Sequence, residues 1–222
     1  MSIVTVASSK GGPGKTTVCM VLAGRLAQEG LKVAAVDADP AQAFMRWTRT
    51  YEGAPLFAVE AEADEARLAH LIHARSQSAD VVLVDTAGFG NRAATVAMTG
   101  ADAVLIPSLF GEADVTEAEN TVRLVAGLSQ AARRSIPVGV LLNRVKRTQL
   151  ARHVMREIEA ADLPLLTSTL GDLVAYGEMT FSGRVPAHGV AGDEIARLVA
   201  ELRERGWIAR LHDVTQPRGN AA

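Results

Sequence analysis

One cysteine, Cys19, is all that the 222 residues contain. That excludes a disulfide framework and a cysteine-ligated metal or iron–sulfur cluster, both of which need several thiols. It sits in an apolar stretch, where a lone cysteine reads as a small core residue. No apolar run reaches the roughly 18 residues of a membrane-spanning helix, and no signal-peptide pattern occurs, so the expected location is cytoplasmic. The last eleven residues, His212 to Ala222, hold a single bulky aliphatic, Val214, which argues against an amphipathic membrane anchor. Aromatics make up only 4% of a chain that is 48% hydrophobic, so the core must be built from Val, Leu, Ile and Ala, as under parallel strands. Charge is equally spare: 23 Lys and Arg against 25 Asp and Glu leave a net −2. A wholesale basic surface is absent, although a local basic patch is not thereby excluded.

What is present is an alternation of short β-branched runs with amphipathic stretches, the mark of a parallel sheet covered by helices. The pattern predicts strands at Ile3–Ala7, Lys32–Asp37, Val81–Asp85, Ala103–Pro107 and Val138–Asn143, a short one near Leu163–Leu166 and an edge strand near Leu56–Glu60. Helices are expected over Lys15–Glu29, Glu65–Arg75, Val115–Ala132, Thr148–Ala161 and Gly192–Arg205. The length suits one α/β domain, here residues 1–212, with a mostly parallel, doubly wound sheet flanked by helices. A polar tail with Pro217 and Gly219, residues 213–222, follows.

Between the first strand and first helix lies Ser9-Lys10-Gly11-Gly12-Pro13-Gly14-Lys15-Thr16-Thr17. A glycine-rich turn at this junction points backbone N–H groups and a helix N-terminus at one anionic spot, a phosphate. Gly11, Gly12, Pro13, Gly14 and Thr17 then line the nucleotide, Lys15 reaches its outer phosphates, and the Thr16 hydroxyl ligates Mg²⁺. Lys10 is surplus to that scheme, and a second cation so close costs repulsion unless an anion answers it. The other candidates end strands on the same sheet edge, where ligands bind in open α/β folds. Asp85, after Val81–Val84, is placed to hold the Mg²⁺ shell, or else to cap a turn. Asp37 and Asp39 lie two apart, on one face if the strand continues through them; one of them could instead cap a loop. Asn143 ends a further strand and offers a donor and an acceptor, suited either to a base edge or to capping a helix.

The pattern Lys10-Gly11-Gly12-x-Gly14-Lys15-Thr16-Thr17, with Val36-Asp37-Ala38-Asp39-Pro40, Val84-Asp85-Thr86 and Ala101–Pro107, resembles the deviant phosphate loop and strand-end motifs of the ParA/MinD family of ATPases. The resemblance covers the chain to about residue 205, and is nearest to small partition ATPases without an N-terminal DNA-binding extension. It implies a P-loop NTPase fold with ATP and Mg²⁺ as cofactors, Asp39 orienting the attacking water, Asp37 supporting the metal shell, and Asn143 contacting adenine. Lys146 stands where guanine readers carry an acidic residue. The resemblance further implies that Lys10 crosses a homodimer interface to the partner's nucleotide, acting as an arginine finger does, so that slow hydrolysis is tied to assembly. Residues 88–93 and 114–120 are the candidates for the facing surface.

Partition relatives bind DNA without sequence preference when loaded with ATP, which would place the chain on the nucleoid. Here Arg133-Arg134 and the group Arg144, Lys146, Arg147 and Arg152 are the densest basic clusters, the second the candidate for phosphate contacts, though a solvated helix face explains them nearly as well. A ParB-like or other adaptor protein is expected to stimulate hydrolysis, and no membrane is expected as a partner. The implied function is a dimeric switch for plasmid, chromosome or protein cargo. The rival on the same scaffold is an ATP-dependent ligase of the dethiobiotin-synthetase type, which generally lacks the leading Lys-Gly-Gly.

Overall fold

The computed structural model describes residues 1–50, 56–88, 91–146, 158 and 163–209. Arg147, Arg152, all but one residue of the helix expected over Thr148–Ala161, and the tail 213–222 lie outside the described residues. In chain order the elements are β1 (Ser2–Val6), α1 (Lys15–Gln28), β2 (Val33–Ala38), α2 (Ala43–Thr48), β3 (Ala58–Ala61), α3 (Glu65–Ser76) and β4 (Val81–Thr86). Then follow α4 (Arg92–Gly100), β5 (Ala103–Ser108), α5 (Glu112–Ala131), β6 (Val138–Val145), β7 (Leu165–Gly171), α6 (Val174–Ser182) and α7 (Gly189–Glu204).

The strands form one sheet in the order β3-β2-β4-β1-β5-β6-β7, and every described pairing is parallel. The expected mostly parallel, doubly wound α/β fold is present. Successive strand residues alternate between the two faces. On one face Val81, Leu83, Leu105 and Leu141 pack with Val18, Leu22 and Leu26 of α1 and with Ile195 and Leu198 of α7. On the other, Val82 and Val84 meet Leu68 and Ile72 of α3, while Val104, Ile106 and Val140 meet Met98 of α4 and Val125 of α5. Burying both faces is what the aliphatic, aromatic-poor composition allows. After β1 the chain builds β2, β3 and β4 to one side and β5, β6 and β7 to the other. The loop leaving β1 therefore sits at the switch point, where such sheets open a ligand crevice.

Three helices are absent from the sequence reading: α2, α4 and α6. All are short, and α4 and α6 contain Gly100 and Gly177, which blur the helical period. The loop expected over Gly88–Ala93 is cut short because Asn91 caps α4, its Oδ1 accepting the Ala93 amide at 2.8 Å. The short strand expected near Leu163–Leu166 runs instead from Leu165 to Gly171. Its ladder to β6 is irregular, and α7 supplies the missing acceptors. Glu201 takes the Thr167 and Ser168 amides at 2.9 and 2.7 Å, and Glu194 takes the Gly171 amide at 2.9 Å.

Candidate functional site

The loop between β1 and α1 turns on two left-handed glycines, Gly12 (φ 94°) and Gly14 (φ 97°). Gly14 is the cap of α1, its carbonyl accepting the Val18 amide at 2.9 Å. A Cβ at Gly14 would collide with the Asn143 side chain, so glycine is required twice over at that position, by φ and by space. Lys15 opens α1 and turns inward: its Nζ donates to the Lys10 carbonyl at 3.0 Å. Burial lowers its pKa from the usual lysine value, and Asp85 and Asp39 oppose that shift. Gly11 and Gly12 are exposed and Pro13 is buried; Thr16 and Thr17 are half-buried on the first turn of α1.

Asp85, near the end of β4, is fully buried, and neither carboxylate oxygen has a hydrogen-bond partner. Burial raises its carboxyl from 3.8 to about 7, held back by the nearby Thr16 hydroxyl and Lys15 and pushed further by Asp37. An orphaned carboxylate beneath a phosphate loop, beside a threonine hydroxyl, is the oxygen donor set that suits Mg²⁺ shared with nucleotide phosphates. Among the described residues no three His, Cys, Asp or Glu side chains converge into a metal cage of their own. Such a site draws on phosphate and water oxygens instead. Cys19 lies on α1 behind this carboxylate, wholly buried, and burial pushes its thiol up.

Asp37 lies in β2 and Asp39 just beyond it, so strand alternation does not set the pair on one face. The strand ends at Ala38 and the chain turns. Asp37 is buried and its oxygens accept the Asp39 amide at 3.1 Å and the Met45 amide at 2.9 Å, tying the turn to α2. Burial raises its carboxyl, and those amides oppose the shift. Asp39 is half-buried, caps the Ala41 amide at 2.8 Å, and looks into an open cleft of about 850 Å³ shared with Glu65, Gly88, Asn91 and Arg92. On the opposite side of the loop, a cavity of about 360 Å³ lies between Thr17, Asn143 and the turn from β7 into α6, with Asp172 and Tyr176 in its wall. Asn143 is buried there, and its amide is used within the chain: Nδ2 donates to the Pro13 carbonyl at 2.7 Å and Oδ1 accepts the Arg144 amide at 2.9 Å. Arg144 and Lys146 are exposed, Arg144 at the mouth of that cavity. The turn at Asp172–Tyr176 is a wall the sequence reading missed; β7 and its bulges carry no period that would have marked it.

Lys10 does not enter the crevice. Its Nζ pairs with Asp114 Oδ1 of α5 at 2.8 Å, while Ser9 bonds to Glu117 and Thr121 of the same helix. A doubly wound parallel sheet with a glycine-rich loop at its switch point, one lysine turned in and another turned out, is the P-loop NTPase fold of ParA/MinD-type proteins. The VirC1 protein family model matches residues 1–205, and the chain belongs to that family. The protein virC1 of Rhizobium radiobacter is 30% identical over 189 residues, covering 82% of each chain. A protein ParA of the same organism is 32% identical over 145 residues, 65% of each. Among solved structures, an ATP complex of Cyanothece McdA(D38A) superposes with a TM-score of 0.75 at 16% identity, over 95% of this chain and 98% of that one. Among the described residues no helix is long and apolar enough to cross a membrane.

Proposed function

We propose that this protein is an ATPase, slow alone and stimulated by a partner, that works as an ATP-dependent homodimeric switch in positioning cargo. The observation that carries the reading is the two-lysine loop standing over an orphaned buried carboxylate at one sheet edge. The loop amides of Gly11, Gly12 and Gly14 to Thr17 cradle the phosphates, with Lys15 neutralising their charge. Thr16 and Asp85 would hold Mg²⁺, which when bound neutralises charge on the phosphate oxygens. Asp37 contributes from behind by fixing the turn that carries Asp39, and Asp39 faces the open side of the loop, where it can orient a water. The base lies in the cavity beside Thr17 and Tyr176. Asn143 acts on it through the loop, by holding Pro13 and packing on Gly14.

Lys10 completes a second chain's site, so that assembly and hydrolysis are coupled. When ATP-loaded, the dimer binds DNA without sequence preference, with Arg144 and Lys146 as the described candidates for phosphate contacts and Arg147 and Arg152 completing that cluster in the sequence. An adaptor of the ParB type accelerates hydrolysis and resets the switch. Membership of the VirC1 family and the ParA relative support this reading over a metabolic ligase.

Phosphate release and light scattering test it together. With ATP and Mg²⁺ the protein should form dimers and retain duplex DNA of random sequence, whereas with ADP it should do neither; Lys15→Ala should abolish both, and phosphate release with them. Rapid turnover by a monomer, raised by a small carboxylic acid and indifferent to DNA, would sink the switch and leave the ligase.

A further inference from the structure

The two residues ahead of the phosphate loop are strung along one helix. Ser9 donates its amide to the Thr121 hydroxyl at 3.1 Å and its own hydroxyl to the Glu117 carbonyl at 3.0 Å. Lys10 follows with its ammonium 2.8 Å from Asp114. Asp114, Glu117 and Thr121 are three and four residues apart, so they line one face of α5. Asp114 is well placed to hold a cation. Its side chain is 14% exposed against 45% for Lys10, and it sits in the first turn of α5, where the helix dipole favours a carboxylate. Its backbone is pinned as well: its amide donates to Gly111 and its carbonyl accepts the Ser108 hydroxyl. The carboxylate is fixed and the lysine comes to it.

We propose that Asp114 is a positioning residue for Lys10, an intrachain latch that must open before the lysine can serve a second copy of the chain. This rests on the reading that Lys10 acts across a dimer. A single ammonium cannot give its full charge to Asp114 and to a partner's phosphates at once, so dimerisation exchanges one contact for the other. Because the cost of breaking the latch does not depend on which nucleotide is bound, it moves the concentration at which dimers form without itself favouring one nucleotide. It is broken once in each protomer, so its effect on the dimer constant enters squared. A partly exposed ion pair shifts an equilibrium by about two- to fivefold. Two of them set the dimerisation threshold by about four- to twenty-five-fold.

The test is sedimentation of the full chain with AMPPNP and Mg²⁺, a state that does not turn over. Asp114→Asn keeps the side-chain shape and removes the charge; it should tighten the dimer by the squared factor, and Asp114→Glu should restore the wild-type threshold. In a Lys10→Ala background Asp114→Asn should change nothing, a non-additivity that a merely structural role for Asp114 does not produce. If Lys10→Ala weakens the dimer while Asp114→Asn leaves it at the wild-type value, or shifts it equally in both backgrounds, the latch is wrong and the trans lysine survives. If Lys10→Ala dimerises as wild type does, the trans reading fails first and the latch goes with it.

Discussion

Two regions of this molecule bury carboxylates, and they treat them in opposite ways. At the nucleotide edge, Asp85 is wholly buried with no backbone amide on either oxygen, and burial lifts its carboxyl to about 7. At the far edge of the sheet, burial alone would also raise Glu201. The amides of Thr167 and Ser168, the Ser168 hydroxyl and Arg205 outweigh it and hold the group at about 2. Its neighbour Glu194 is likewise answered by the Gly171 amide and the Tyr176 hydroxyl, a phenol that burial pushes well up. A buried charge with all its partners inside the chain is part of the architecture. One without them is costly to fold around. Under the proposed function it is the place where a cation arrives.

The sharpest way to break that contrast is Asp85→Asn. If the carboxylate serves Mg²⁺ and nucleotide, phosphate release should fall by about a hundredfold or more, near 2.7 kcal/mol of barrier. Yet the metal-free protein should become more stable, by on the order of 1–3 kcal/mol at pH 7.5, because an unpaired buried charge has gone. A melt in EDTA that moves down, with hydrolysis intact, would make Asp85 an ordinary structural residue. Glu201→Ala should do the reverse. It strands the amides of Thr167 and Ser168, of which the second is buried, and should cost about 1–3 kcal/mol in denaturant melts while ATP affinity stays unchanged.

The same contrast has a pH signature, smaller in size. Asp85 holds its proton more tightly folded than unfolded, so its contribution to stability is fully present below about 3.8 and is lost as pH rises to about 7. Glu201 is depressed, so its contribution is present above about 4.5 and is lost as pH falls towards 2. In EDTA, the stability gained by Asp85→Asn should therefore be larger at pH 7.5 than at pH 5. Equal gains at both would show that Asp85 is not protonated in the fold at the lower pH.

Which parts were legible in the sequence follows from the same physics. Continuous apolar strands such as Val81–Val84 and the glycine-lysine turn announce themselves, because burial on two faces and a left-handed phosphate loop each demand a narrow set of residues. The partners of Lys10 do not. Asp114 is 104 residues away, and nothing in an alternation of apolar and polar residues says which carboxylate a surface lysine will meet. Spacing likewise suggested a shared face for Asp37 and Asp39. The chain turns after Ala38, and Asp37 accepts the backbone amides of Asp39 and Met45. The far edge was hardest: β7 is held by α7 carboxylates rather than by a regular ladder, and a bulged strand carries no period.

Asn143 brings the contrast into the site itself. Its type and position suit a base contact, yet its amide spends its bonds on Pro13 and Arg144, which puts it with Glu201 rather than with Asp85. A group so engaged should shape the loop without reading the base. Asn143→Ala removes the bond to Pro13 and frees the space against Gly14. It should weaken ATP and GTP binding alike, by about three- to tenfold, corresponding to one buried hydrogen bond of about 1 kcal/mol. Titrations of both nucleotides against wild type and variant measure it. A loss confined to ATP would mean that the amide leaves Pro13 for the adenine edge when nucleotide binds, and that a polar group already engaged inside this crevice is still free to act as a ligand.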